Sequence, residues 1–158
     1  MHLVKAAAAA ALAAGAVVAT AAPSFAAGET SPEIDWVKTN VIVTGANADQ
    51  ATITTKYRCE GEGFHLWASV KQGPLITETD NTSAFAESWY ETPEGPVPVC
   101  DGKTHVARWT VTRVDGFDTL TTGDAWVQFV FFYGGDGGAP MRAADVGWAT
   151  VKAPAGRG

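Results

Sequence analysis

Two cysteines and two histidines pose the first chemical question in this chain. His65 follows Cys59 by six residues and His105 follows Cys100 by five, so four potential metal ligands stand in two matched groups. Structural zinc sites, however, present their thiolates as close pairs such as C-x2-C, and here the cysteines lie 41 residues apart. Nothing beside either cysteine marks it as an activated nucleophile, such as a cluster of basic groups lowering its pKa. The remaining chemistry is a Cys59–Cys100 disulfide, which is the first reading of an even cysteine count in any chain that reaches an oxidising compartment.

The N-terminus supplies that compartment. Lys5 precedes an uncharged run from Ala6 to Thr20, rich in Ala and Val, and Ser24-Phe25-Ala26 then places small residues where a signal peptidase reads. The run is too short and too weakly apolar for a spanning helix, which needs about 20 apolar residues. The expected organisation is a signal peptide over residues 1–26, one domain over 27–153 and a tail over 154–158, with the product secreted to the extracellular space. Cleavage would leave 132 of the 158 residues, a usual size for one domain with its own core. It would also leave 10 Lys and Arg against 17 Asp and Glu. That acidic balance argues against nucleic acid or an anionic membrane as the main partner, because both require clustered cations.

Other catalytic signatures are missing from the sequence. There is no G-x-S-x-G, no H-E-x-x-H, no phosphate loop and no dinucleotide fingerprint, so no catalytic residue, metal or cofactor is assigned. Asp115-Gly116-Phe117-Asp118 and Gly134-Gly135-Asp136-Gly137-Gly138 resemble calcium loops only in composition; neither offers oxygen ligands at alternate positions ending in a bidentate acid. Both read as turns.

The elements that must position any site are strands. Ala51–Cys59 alternates, with Ile53, Tyr57 and Cys59 on one face and Thr52, Thr54, Lys56 and Arg58 on the other. Phe64–Lys71 sets Phe64, Leu66, Ala68 and Val70 against His65, Trp67, Ser69 and Lys71. Further strands are expected over 34–44, 83–91, 97–100, 104–114, 124–133 and 146–153, with Gly- and Pro-rich turns between them. Seven or eight short strands with a turn every dozen residues describe an antiparallel β-sandwich, with a small closed β-barrel as the alternative.

The segment Tyr57-Arg58-Cys59, a Gly-rich turn and an alternating strand, followed by Cys100-Asp101-Gly102-Lys103-Thr104-His105 and Trp109-Thr110-Val111, resembles small secreted actinobacterial proteins with an immunoglobulin-like sandwich and no assigned activity. The resemblance implies an immunoglobulin-like fold and export, and assigns no catalytic residue. One departure from antibody domains is plain: their tyrosine two residues before the second cysteine is replaced here by Pro98.

One strand stands out. Over Asp124–Tyr133 both faces are apolar: Ala125, Val127, Phe129, Phe131 and Tyr133 alternate with Trp126, Gln128, Val130 and Phe132. Gln128 and Asp124 mark the second set as the outer face, which places Trp126 and Phe132 toward solvent. Should this strand lie beside Phe64–Lys71, Trp67 and His65 join them in a ligand-binding aromatic patch, suited to an extracellular glycan or protein. The competing expectation is that the segment from Gly73 to Glu94 covers these rings. Three function classes follow: a non-catalytic binding or adhesion module, a protease inhibitor presenting the Pro-stiffened loop 92–100, and an enzyme of unrecognised type.

Overall fold

The computed structural model describes residues 32–45, 47–93, 97–134 and 141–153; the expected signal peptide, the tail and residues 94–96 lie outside them. The chain forms β1 (Glu33–Val37), β2 (Asn40–Thr44), β3 (Gln50–Glu60), β4 (Phe64–Gln72), β5 (Ser88–Glu91), β6 (Asp101–Arg113), β7 (Gly123–Tyr133) and β8 (Met141–Lys152), with a short 3-10 turn over Ser83–Phe85. The segment 97–100, expected as a strand, carries no strand pairing. Its Val99 N–H is instead held by the Tyr57 hydroxyl at 3.2 Å.

Going round the sheet, β3, β2, β8, β7, β4, β5 and β6 are neighbours in that order, and β6 pairs back onto β3. The all-β class is therefore as expected, but the architecture is a closed seven-stranded mixed barrel in place of the antiparallel immunoglobulin-like sandwich. Two seams make the difference. The parallel pairing of β2 with β8, Asn40 to Thr150 and Ile42 to Lys152, joins strands from distant parts of the chain. The short β5 bridges β4 to β6 through only Tyr90 with Arg113 and Glu91 with Thr112. Closure removes the free edges that a sandwich would have to protect.

The alternation read from sequence is what fills the barrel. Val41, Val43, Ile53, Tyr57, Leu66, Val70, Tyr90, Val111, Phe129, Phe131 and Val151 form one buried cluster. Tyr90 acts as a strut across it: its hydroxyl donates to the Ala48 carbonyl and accepts from the Leu120 N–H. Cys59 and Cys100 are bonded, which takes both sulfurs and leaves no thiolate for a metal. The bond ties the end of β3 to the residue before β6, at the same end where Glu60 pairs with Asp101. At the turn from β3 to β4, Gly61 and Gly63 have φ of 101° and 81°, a left-handed backbone that suits glycine.

Candidate functional site

Strand β7 does lie beside β4, in antiparallel register that sets His65 opposite Phe132, Trp67 opposite Val130, Ser69 opposite Gln128 and Lys71 opposite Trp126. On the far side of β7, Trp126 faces Trp148 of β8; on the far side of β4, Lys71 faces Trp89 of β5. Because outward residues recur every second position, the barrel's outer wall here carries a row Trp148–Trp126–Lys71–Trp89 across four strands. A second row runs Val146–Gln128–Ser69–Glu91.

The four residues expected to form the patch share this wall, but not equally. Trp126 is only 5% exposed, so its expected position toward solvent is corrected. His65, Trp67 and Phe132 are half-buried. Trp126 is covered in part by Trp148, whose ring meets it edge-on with centroids 5.4 Å apart. Trp148 itself remains 43% exposed and is the most open ring of the wall. The connection between β4 and β5 also crosses this side: its Asn81 accepts a 3.4 Å hydrogen bond from the Gln128 amide. Ile76 of the same connection is buried without belonging to the main core cluster. The segment named as a possible cover thus does overlie part of the wall.

Beneath these rings is a polar centre that sequence reasoning placed on the wet face. Lys71 is only 4% exposed. Its ammonium donates to Gln128 Oε1 and stands 5.5 Å from the Trp67 ring centroid, a cation–π arrangement. Removal from water pulls the Lys71 pKa below the ordinary lysine range, while the Glu91 carboxylate opposes that shift. Glu91 has a second task, because its Oε2 accepts the Trp67 indole N–H at 3.1 Å and fixes the ring's orientation. Ser69 adds a 3.4 Å hydrogen bond to Gln128 Oε1.

Chemically, this wall offers fixed aromatic surface and no nucleophile paired with a base. Among the described residues no group of three or more His, Cys, Asp or Glu is placed to hold a metal ion. His65 and His105 do not share a site: His65 lies on this wall, whereas His105 Nε2 pairs with Asp101 Oδ1 at 2.8 Å on β6. Sequence reasoning missed Lys71 and Glu91 because burial of an outer sheet face depends on a distant loop. Register against Trp126 sets Trp148 on the same wall.

No known protein family, no curated protein and no solved structure matches this chain. The wall must therefore be read from its own chemistry.

Proposed function

We propose that this is a secreted, non-catalytic binding module that uses the outer wall of β8, β7 and β4 as a platform for the sugar rings of an extracellular glycan. The observation that carries the reading is the pair of fixed indoles. Trp148 is braced edge-on by Trp126, and Trp67 is pinned through its N–H by Glu91, so both present ring surface without losing much freedom on binding. Half-exposed Phe132 and His65 extend the apolar surface along the same wall. Export is supported by the leader sequence and by the disulfide, which an oxidising compartment preserves. Among the described residues no helix is long and apolar enough to cross a membrane.

The test is pull-down of the mature protein on insoluble cellulose, chitin and peptidoglycan. Trp67→Ala with Trp148→Ala should reduce retention at least tenfold in protein that circular dichroism shows still folded at the assay temperature, since stacking is worth ~1 kcal/mol or more per ring. Retention equal to wild type would remove the platform.

A second reading rests on the segment before the disulfide. Val97 and Val99 are 76% and 56% exposed, while Pro98 between them is buried and Val99 N–H is held by Tyr57. A Pro-containing segment with outward apolar side chains beside a disulfide suits a protease inhibitor. Absence of inhibition of secreted serine proteases at micromolar protein removes it.

A further inference from the structure

The wall does not end at Trp148. Along β8 the outward residues after Trp148 are Thr150 and Lys152, and these pair with Asn40 and Ile42 of β2. Beyond that seam lies a groove of about 360 Å³ lined by Lys38, Lys152, Arg108, Asn40, Thr52 and Thr54 among others. No carboxylate lines it, although the chain as a whole has a net charge of −6. Lys38, Lys152 and Arg108 are exposed, and none makes an ion pair or side-chain hydrogen bond among the described residues. By contrast, the neighbouring Lys56 is matched to Asp35 at 2.8 Å.

Three unmatched cations gathered on one face repel each other, and an anion relieves that repulsion. The net charge does not cancel the effect, because screening limits each charge's reach to about 8 Å at physiological salt. The hydroxyls of Thr52 and Thr54 and the Asn40 amide add neutral donors to the same groove. Trp148, Thr150 and Lys152 recur on the same outward face of β8, so a chain stacked on the Trp148 ring runs on toward the Lys152 cation and the groove.

We propose that the ligand class of this platform is an acidic polysaccharide, with Trp148 stacking a sugar ring and Lys38, Lys152 and Arg108 holding carboxylate, sulfate or phosphate groups carried on the same chain. The proposal rests on the platform reading above and names its ligand.

The experiment is affinity electrophoresis of the mature protein through gels containing polygalacturonate, dextran sulfate or neutral dextran, over a range of salt. Both acidic polymers should bind at least tenfold more tightly than dextran, with affinity falling as salt rises. Lys38→Gln, Arg108→Gln and Lys152→Gln together should lower binding of the acidic polymers at least tenfold and leave the thermal midpoint in place. Lys103→Gln, which removes an exposed cation outside the groove, should leave binding unchanged. Dextran bound as well as the acidic polymers, or a triple variant that binds like wild type, overturns the acidic ligand while leaving the platform standing. Binding that responds to the triple variant but ignores Trp67→Ala with Trp148→Ala overturns the platform and the joint proposal, and reduces the groove to a plain anion site. A preference between polygalacturonate and dextran sulfate supports the proposal and identifies the favoured anionic group.

Discussion

Lys71 shows most directly how a single residue's environment departs from what its type suggests. Lysine on the outward side of a strand ordinarily projects into water, yet here its ammonium is enclosed and compensated by Gln128, the Trp67 ring and the Glu91 field. Removing a partner from an enclosed charge costs more than the bond itself is worth, because the charge is left without a solvent or protein acceptor. Gln128→Ala is therefore expected to lower the unfolding free energy by about 2 kcal/mol. Lys71→Met with Gln128→Leu, which removes both polar groups and keeps the volume, should restore most of it. Urea unfolding of the two variants checks both outcomes.

Asp101 offers a titration at the same scale. A hydrogen bond with His105, followed by one from the Lys103 N–H, holds its carboxyl below the usual aspartate range. A folded pKa below the unfolded one means that the interaction stabilises the protein above the unfolded pKa, and that this help is lost as pH falls through the folded value. NMR titration should place the Asp101 midpoint under that of a free aspartate, and His105→Ala should move it upward. An Asp101 midpoint unchanged by that substitution would assign the shift to the backbone contact instead.

Among the elements, the connection from β4 to β5 decides how much of the aromatic wall meets solvent. Its base is closed where the Glu87 N–H donates to the Gln72 carbonyl at 2.9 Å. Gly73 sits there in a space with no room for a methyl group: a Cβ would come within 3.0 Å of both the Glu87 nitrogen and the Phe85 carbonyl oxygen. Gly73→Ala must push the two sides of the connection apart, at a cost of roughly 1 kcal/mol or more. The expected readout is faster amide exchange from 74 to 87 and stronger quenching of tryptophan fluorescence by acrylamide as Trp126 is uncovered. Unchanged quenching would show that the connection can shift without leaving the wall. Elsewhere, strand existence was legible because Ala51–Cys59 and Phe64–Lys71 alternate cleanly. The segment 97–100 reads as a strand because valine and proline favour extended backbone whether or not a partner strand is present.

For the whole molecule, the disulfide acts on the seam that closes the barrel. β3 and β6 enclose β4 and β5 between them in sequence, so their pairing has to bring together residues far apart in the chain. Linking Cys59 to Cys100, 41 residues apart, removes part of that entropy from the unfolded chain. Cys59→Ala with Cys100→Ala should cost about 4 kcal/mol in the chain-entropy account, measured as a lower urea midpoint. An unchanged midpoint would mean that the unfolded chain is already restrained without the bond.

The sequence by itself determined the all-β class, the disulfide partners and which residues alternate inward, because each follows from local composition, a count of two, or a period of two. It did not determine whether the sheet closes. The parallel seam of β2 with β8 and the two-residue bridge from β5 to β6 are pairings between distant segments that leave no local signature. The same reason governs the candidate site. Strand periodicity placed Trp67, Trp126, Phe132 and His65 on one wall, but burial on that wall is set by Trp148 and the β4–β5 connection, and the cations of Lys38, Arg108 and Lys152 meet only once three separate parts of the chain are folded together.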